Sequence, residues 1–558
     1  MDAVYNSYGY YFGRIHVSPT NPEQIYIYGV PILKSNDSGS TFQTIGASNV
    51  HVDHHDLWIN PKDTNHLVLG NDGGVNISYD QGENWIKLNQ PSVGQFYSIN
   101  VDNSEPYNVY GGLQDNGVWM AKNNSYESPE WYESGHNNWT KIMGGDGMQI
   151  QIDNRDNNIV YTGLQFGNYY RLNLTNKSKK NIKPGHKFGD SPLRFNWQTP
   201  ILLSSHNQDI LYLGSNKLHR SFDKGDTWQE ISDDLTNGGI KGNVPFGTIT
   251  SFDESIFQFG KIIVGSDDGK ISISNNSGDT WKQISNNLPK NLWVSRVIFS
   301  KLKKNRIYVS LNGYRLNDFT PYLFVSDDNG LSWDDISSNL PLSPLNVIKE
   351  DFNKEEILYV GTDNGAFISL DSGKKWYPFT NLHNRVAVHD IVIHKESNEL
   401  LLATHGRSIY KTKLKIFTDY FNNKASVNKI TIVNIDNLNY SNNWGMESNI
   451  NQSVSLIYDK PQIDPRSFIQ VDLFSELSDS IKFKILNNDK RLLSNGEIKL
   501  VKGFNRLQIL PVADKSLNQK QRQKLGLTLK KAADGNVYFN KGKYIFSINN
   551  TSKEFLVK

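Results

Sequence analysis

The chain has 558 residues, of which 59 are lysine or arginine and 57 are aspartate or glutamate. This length allows at least two folding units with extensive cores, and the near balance of charge disfavours nucleic acid or an anionic membrane surface as a partner. No cysteine occurs, which excludes disulfides and thiolate metal sites, and no apolar run is long enough to predict a membrane span.

Six copies of one eight-residue motif recur along the chain, and we call each copy a box. The pattern is Ser-x-Asp-x-Gly-x-x-Trp, with Phe42 and Asn276 as its departures. It predicts a tight hairpin, because the Asp or Asn side chain accepts backbone N–H groups and Gly adopts a positive φ. The copies are SNDSGSTF at Ser35, SYDQGENW at Ser78, SFDKGDTW at Ser221, SNNSGDTW at Ser274, SDDNGLSW at Ser326 and SLDSGKKW at Ser369.

Strand patterns surround every box at a period of roughly 40 to 50 residues, which is typical of four-stranded propeller blades. One such unit reads DLWIN, HLVLGND, GVNISYD and ENWIKL. Two units without a box follow, around residues 109–121 and 160–172, and the last unit, 390–414, has neither a box nor a fourth strand. Its missing strand must come from residues near Met1 or from sequence upstream of this chain.

The composition shifts toward Asn, Lys and Ser after residue 415, and strand patterns resume near residue 450 as SVSLIYD, SFIQVDLF, SIKFKILNND, FNRLQILPV and KYIFSINN. We therefore predict an all-β fold: a multi-bladed β-propeller of about nine four-stranded units, followed by a small Ig-like β-sandwich. The predicted domains are a propeller over 1–415, a linker over 416–449 and a sandwich over 450–558. The cationic segment 515–535 is either a short helix or a solvated insertion, and its charge favours the insertion.

The boxes resemble the Asp-box, or bacterial neuraminidase (BNR), repeat. Longer phrases, such as VHVDHHDLWINPKDTNHLVLGNDGG, VYGGLQDNGVW, LRFNWQTPI and ATHGRSIY, are similar to bacterial sortilin-like (VPS10-type) repeat proteins that are often labelled glycosyl hydrolases. This resemblance implies a secreted, periplasmic or cell-surface protein. It also implies an N-terminal truncation that removed the signal peptide and further blades, so the chain is expected to be part of a larger or double propeller.

Propeller geometry sorts the unusual residues onto one face. The boxes join the two outer strands of a blade, whereas the turns between its second and third strands share the opposite face with the entries to its first strand. Ligands bind preferentially at concave polar sites with aromatic rims. We therefore predict ligand-binding residues on the face opposite the boxes: His54, His55, Asp72, Gln114, Asp115, Asp146, Arg194, Trp197, Arg296, Arg315, His405 and Arg407.

Each of these residues also has a purely structural explanation. Asp-Gly and Asn-Gly pairs are common in tight turns. Arg194, Arg296 and Arg407 are equally compatible with ion pairs between blades. The box tryptophans are interpreted as core residues that fill the space between blades. It is the shared face that favours a binding site.

Glycosidic hydrolysis requires two carboxyl groups about 5 to 10 Å apart. Candidate catalytic residues on the predicted face are Asp115, Asp146, Asp72 and Asp390. A sialidase is disfavoured because Arg14, in GRIHV, lacks the proline of the sialidase Arg-Ile-Pro motif, and serine or thiol hydrolysis lacks a Gly-x-Ser-x-Gly elbow and a cysteine.

The stretch HVDHHD, residues 51–56, enters a predicted first strand. If it is extended, His51, Asp53 and His55 share one side, with neighbours about 6 to 7 Å apart, which is too far for easy convergence on one ion. We therefore predict no metal and no cofactor here.

The sequence favours a secreted bacterial propeller that binds a peptide, protein or polysaccharide on the face opposite the boxes, without membrane insertion. The alternative is a glycoside hydrolase of the xyloglucanase-like propeller type that uses a pair of Asp carboxylates.

Overall fold

The computed structural model describes residues 13–88, 93–125, 138–240, 242, 244–378, 385–422, 429–442, 444–445, 468–527, 531–532 and 534–558. The chain forms two compact units. The first comprises Met1–Phe299 with Ala403–Tyr410, and the second comprises Ser300–Leu402 with Lys411–Lys558. The predicted strand SVSLIYD lies outside the described residues.

Nine small antiparallel sheets follow one another from residue 14 to residue 413, and we number them as blades one to nine. Blade one contains β1 (Arg14–Val17), β2 (Ile25–Tyr28), β3 (Ile32–Ser35) and β4 (Gln43–Thr44). Blade two contains β5 (His54–Ile59), β6 (Leu67–Asn71), β7 (Gly74–Ser78) and β8 (Ile86–Leu88). Blade three contains β9 (Phe96–Val101), β10 (Asn108–Leu113), β11 (Gly117–Lys122) and β12 (Thr140–Met143).

Blades four to six repeat this order. Blade four contains β13 (Gln151–Ile152), β14 (Ile159–Leu164), β15 (Asn168–Asn173) and β16 (Ser178–Asn181). Blade five contains β17 (Ile201–Leu203), β18 (Leu211–Gly214), β19 (Leu218–Ser221) and β20 (Gln229–Glu230). Blade six contains β21 (Ile249–Glu254), β22 (Ile262–Ser266), β23 (Ile271–Ser274) and β24 (Lys282–Gln283).

The last three blades include the predicted three-stranded unit. Blade seven contains β25 (Trp293–Phe299), β26 (Ile307–Asn312), β27 (Tyr322–Ser326) and β28 (Asp334–Asp335), with a 3-10 helix at Tyr314–Leu316. Blade eight contains β29 (Leu345–Glu350), β30 (Leu358–Thr362), β31 (Gly365–Ser369) and β32 (Trp376–Pro378). Blade nine contains β33 (Val388–His394), β34 (Glu399–Thr404) and β35 (Ile409–Lys413).

The strand sequences explain their order within a blade. Inner strands such as β18 (LYLG) and β22 (IIVGS) are buried along their whole length, so both of their faces require apolar or small side chains. The short fourth strand β24 (KQ) is exposed. Sheets packed on both faces favour continuous apolar runs, whereas a solvent edge favours charge. The predicted multi-bladed propeller class is confirmed.

All six boxes fold alike. In the box of blade two, the Ser78 hydroxyl donates to Asp80 (2.7 Å) and accepts the Gly82 N–H (2.8 Å), while Asp80 accepts the Asn84 N–H (2.8 Å). Gln81 and Gly82 have φ of 60° and 92°, so two consecutive residues of the box are left-handed, one more than the motif predicted. The hydroxyl and carboxylate offset that strain locally by satisfying the turn's backbone groups.

The box tryptophans join neighbouring blades. The indole N–H of Trp85 donates to the Ile45 carbonyl at 2.8 Å, so it crosses from blade two to blade one. Trp228, Trp281 and Trp376 repeat this bond with the carbonyls of Ile182, Ile231 and Ile336. Their rings are buried or half-buried between blades.

Two further sheets follow blade nine, in the orders β36-β37-β40 and β39-β38-β41-β42, as predicted for a small sandwich. The strands are β36 (Ile430–Ile435), β37 (Ile469–Ser475), β38 (Ser480–Asn487), β39 (Leu492–Lys499), β40 (Gly503–Ile509), β41 (Gly542–Ile548) and β42 (Thr551–Val557). A helix at Lys415–Asn422 and strand β36 occupy part of the segment predicted as a linker. A solvent-exposed helix at Gln519–Lys524 lies in the cationic segment, and a capping box at Asn518 precedes its first residue.

Candidate functional site

The turns between second and third strands lie beside the entries to first strands, which is the arrangement that the predicted binding face requires. Gln114 N–H donates to the Gln95 carbonyl (2.9 Å) and Asp72 N–H donates to the Asp53 carbonyl (3.3 Å). The turn of blade nine joins the entry to blade three, where Gly406 N–H donates to the Gly94 carbonyl at 2.8 Å. All of these residues belong to the first unit.

The stretch HVDHHD begins its strand later than an extended segment would. Asp53 has φ 63°, and β5 starts at His54 with an irregular register between His54 and Asp56. Strict alternation of side chains from residue 51 is therefore wrong. His54 is 2% exposed, and burial lowers its pKa to about 4. His55 points to the surface, where its Nε2 lies 2.6 Å from Asp72 Oδ1.

Three glycines bring Asp146 next to Asp115. A Cβ on Gly147 would lie 2.2 Å from the Gly117 carbonyl oxygen and 2.9 Å from the Gly112 Cα, so the backbones touch. Gly147 N–H also donates to the Leu113 carbonyl at 2.8 Å. Only glycine permits this approach, and it places the GGDG segment against the GGLQDNG turn.

The carboxyl groups of Asp115 and Asp146 interact directly. Asp146 is 4% exposed and accepts hydrogen bonds from the Asp115 N–H and from Gln165 Nε2, the latter at 2.6 Å. Burial, followed by the Asp146 charge, raises the pKa of Asp115 to about 7. Two adjacent carboxylates in a desolvated site repel each other, so the pair holds a proton at neutral pH.

Asp53 and Asp72 extend this group into blade two. One carboxyl oxygen of Asp53, Oδ1, is buried without a hydrogen-bond partner among the described residues. Burial and then the Asp72 charge raise the pKa of Asp53, and Asp146 acts in the same direction. We call Asp53, Asp72, Asp115 and Asp146, together with His51 and His55, the acidic cluster.

His51 joins blades two and three at the acidic cluster. Its Nδ1 lies 2.8 Å from the Val52 carbonyl oxygen and its Nε2 lies 2.9 Å from the Asp115 carbonyl oxygen. Asn116 adds a second link, because its amide donates to the Asp72 carbonyl at 2.9 Å.

Aromatic rings lie next to the acidic cluster. The pKa of Tyr97 is raised first by burial and then by the Asp146 charge, and the Trp197 side chain is hydrogen-bonded to Tyr97. The Tyr97 ring lies 5.6 Å from the His405 ring, and Trp197, 37% exposed, contacts Phe166 edge-on at 5.1 Å. The predicted residues Trp197 and His405 are therefore connected to the cluster through Tyr97.

Arg194 has a structural partner, and the remaining predicted residues differ in their exposure. Arg194 pairs with Asp234 at 2.6 Å and donates to the Gly247 carbonyl, which matches the structural alternative. Arg296 is half-buried, and Arg407 is exposed on the turn of blade nine. Exposed Arg315, in the 3-10 helix, and half-buried Asp390, in β33, belong to the second unit.

Sequence reasoning missed Gln165 and Tyr97. The signal for Gln165 was present, because VYTGLQFGNYY repeats VYGGLQDNGVW and aligns Gln165 with Gln114. Tyr97, within the phrase GQFYSI, had no local signal, since its role depends on contacts with distant residues.

The fold and this site define the class of protein: a multi-bladed β-propeller with a C-terminal sandwich. No family model matches the chain, and no curated protein matches it. None of the described helices is long and apolar enough to cross a membrane.

Solved structures with distant similarity include the extracellular domain of the BT3049 hybrid two component system from B. thetaiotaomicron. It is 10% identical with a TM-score of 0.44, over 98% of this chain and 67% of that one. The GH74 enzyme of Niastella koreensis is 12% identical with a TM-score of 0.26, over 89% and 83%. YCF48 bound to D1 peptide is 10% identical with a TM-score of 0.30, over 73% and 97%.

Proposed function

We propose that this protein is a ligand-binding propeller whose site is the acidic cluster, and that its ligand is a peptide or protein that presents a positively charged group. The observation that carries the proposal is the buried, unpartnered Oδ1 of Asp53 beside three other carboxyl groups. Among the described residues, no lysine or arginine forms an ion pair with any of the four aspartates, and only His55 does. A cationic group would relieve their mutual repulsion.

The aromatic neighbours support the same ligand class. Trp197 is 37% exposed, and its hydrogen bond with Tyr97 links it to the acidic cluster. An aromatic face beside carboxylates suits the apolar stem and the charged head of a lysine or arginine side chain. The secreted, sortilin-like assignment is part of this proposal and rests on the six boxes and the longer matching phrases.

A glycoside hydrolase is the second candidate, and one observation favours it. A carboxyl group with its pKa raised to about 7 is suited to act as a general acid at neutral pH. The carboxyl groups of Asp115 and Asp146 share a hydrogen bond. They therefore lie much closer together than the roughly 5 to 10 Å that separates the two catalytic carboxyl groups of a glycosidase. A hydrolase would therefore pair Asp115 with Asp72 across the blade boundary.

One experiment separates the two functions. The full chain is screened against an array of peptides that contain lysine or arginine, with norleucine or citrulline in the matched peptides, and against polysaccharides with a reducing-sugar readout. We expect binding that requires the cationic residue and that weakens at least tenfold in Asp72→Asn and Asp146→Asn. Asp279→Asn, an exposed box position, is the control and should bind normally.

Two results would contradict the binding proposal. Equal affinity for the lysine and norleucine peptides would show that the cationic group does not contribute to binding. Sugar release that Asp115→Asn and Asp72→Asn abolish would assign the acidic cluster to hydrolysis.

A further inference from the structure

A second concave site lies on the box side of blades four and five. It is an open depression of about 570 Å³. Its lining comes from β14 and β15 of blade four and from the box region of blade five, and includes Ile159, Arg171, Asp209, Phe222, Lys224 and Asp226. Its volume falls within the range of ligand sites, roughly 300 to 1,000 Å³.

Among the described residues, ion pairs satisfy the charges of this depression except that of Asp223. Arg171 pairs with Asp226 at 2.8 Å, and Lys180 reaches the same carboxylate at 2.9 Å. Lys224 lies 3.6 Å from Asp209. An anion would meet the carboxylates and a cation would meet the guanidinium and ammonium groups. The lining therefore disfavours ionic ligands, while it offers many hydrogen-bond donors and acceptors to a neutral one.

Phe222 gives the depression an aromatic surface. Its side chain is 55% exposed and lines the depression. The guanidinium of Arg220 lies 4.7 Å from the ring centroid, which holds the ring in place. Half-buried Ile159 adds a second apolar contact. An apolar surface surrounded by polar groups matches a ligand that has one apolar face and many hydroxyl groups.

A buried hydroxyl group lies close to the charged side chains of the depression. Tyr161 is 0% exposed, and its hydroxyl has no hydrogen-bond partner among the described residues. In the β14–β15 ladder Tyr161 lies directly opposite Arg171, which lines the depression. After burial, the Asp153, Arg171, Arg155 and Asp209 charges are the largest influences on its pKa, so the hydroxyl faces this charged group. With no exposed surface, this hydroxyl is close to the lining but is not part of it.

We propose that this depression binds a neutral sugar ring of a glycan. Phe222 and Ile159 contact the apolar face of the ring. The carboxylates of Asp209 and Asp226 accept hydrogen bonds from its hydroxyl groups, and Arg171 and Lys224 donate to them. The site is separate from the acidic cluster and adds a second specificity to the first unit.

The test uses the full chain and a panel of neutral oligosaccharides, namely cellotetraose, maltotetraose, mannotetraose and lactose, measured by titration calorimetry. We expect at least one to bind, and to bind about tenfold more weakly in Phe222→Ala, because this change removes the apolar surface. Matched controls are Phe257→Ala, an aromatic residue 43% exposed elsewhere, and Tyr161→Phe, which removes a buried hydroxyl group outside the lining. Both should bind normally.

Three outcomes would overturn the proposal. The first is that no panel member binds. The second is that Phe222→Ala binds as well as wild type. The third is that Asp115→Asn abolishes saccharide binding while Phe222→Ala keeps it, which would move the sugar to the acidic cluster. Failure of the cationic-peptide screen alone leaves this site intact, because its residues and those of the acidic cluster do not overlap.

Discussion

Asp115 combines three unusual properties in one turn residue. Its backbone is left-handed, with φ 59°, its side chain is half-buried, and its carboxyl group lies against Asp146. Asparagine and aspartate tolerate this backbone better than most residues, so the turn alone explains the residue type. The turn does not explain the second carboxyl group, whose repulsion costs stability and whose presence supports the proposed binding site.

The raised pKa of Asp115 sets a pH window for stability. Between pH 4 and pH 7 the native state holds a proton at Asp115 that the unfolded state, with its pKa near 3.8, has released. Stability therefore falls as pH rises through this window, by at most about 1.4 kcal/mol per pH unit for one proton. We expect Asp115→Asn to remove this slope and to make the protein more stable than wild type above pH 7, as measured by urea unfolding at several pH values.

Asp328 is a control whose pKa is shifted in the opposite direction, so its contribution to stability should change with pH in the opposite sense. Hydrogen bonds from Ser332 lower the pKa of this box aspartate to about 2. Its contribution is present above pH 4 and is lost as pH falls toward 2, so Asp328→Asn should reduce stability at neutral pH and lose its effect in acid. Parallel pH slopes for wild type and Asp115→Asn would refute the proton assigned to Asp115.

At the scale of elements, two local devices position the sheets. The box satisfies its own turn with a serine hydroxyl and an aspartate carboxylate, and its tryptophan then donates to the preceding blade. In blade three, which has no box, backbone contact between Gly112, Gly117 and Gly147 takes over the positioning. The same contact sets the distance between Asp115 and Asp146.

Gly147→Ala tests this glycine contact. The new Cβ would meet the backbone atoms of Gly117 and Gly112, which cannot move aside as a flexible side chain can. We expect a loss of about 3 kcal/mol or more in the free energy of unfolding, together with a fall in the pKa of Asp115 as Asp146 moves away. Calorimetry and NMR titration of the carboxyl carbons measure the two effects.

Gly144→Ala is the matched control in the same GGDG segment, because a Cβ there meets no atom within 4 Å. It should change stability little. An equal loss in both variants would show that the segment tolerates no side chain at all and that the glycine contact is not the cause.

At the scale of the whole molecule, the second unit has a core that blades eight and nine share with the sandwich. Tyr359 of β30 and Leu400 of β34 belong to the same buried cluster as Phe474 and Phe504 of the sandwich. Phe417, on the helix Lys415–Asn422, lies between them, with ring centroids 6.0 Å from Tyr359 and 4.8 Å from Phe504. Within this unit the sandwich therefore stabilises the blades.

Phe504→Ala should destabilise both parts of the second unit. Loss of a buried phenylalanine ring costs about 3 to 5 kcal/mol, and the cavity would open between the blades and the sandwich. We expect limited proteolysis to become faster in blades eight and nine as well as in the sandwich. Phe555→Ala, which lies in the core of the sandwich alone, should expose only sandwich sites. Cleavage confined to the sandwich in both variants would contradict the shared core.

The repeat made the fold predictable, because each box carries its turn chemistry within eight residues and a blade forms from neighbours in sequence. All nine units could be predicted in this way, including the two without boxes and the three-stranded last one. The helix Lys415–Asn422 was not, because its stability comes from Phe417 packing between blade and sandwich residues. Asp72, Asp115 and Asp146 could be placed on one face from strand order alone.

Which carboxyl groups meet was decided only by tertiary structure. Sequence left Asp72, Asp115, Asp146 and Asp390 as equal candidates, since contact between blades depends on close backbone approach over long separations. The glycine contact and the left-handed residues at Asp53 and Asp115 select the first three together with Asp53, and Asp390 lies in the other unit. The depression at Phe222 was equally unpredictable, because its lining is assembled from two blades. Local hydrogen-bonding patterns depend on residues that are close in sequence, whereas the distance between charged side chains depends on how the blades pack.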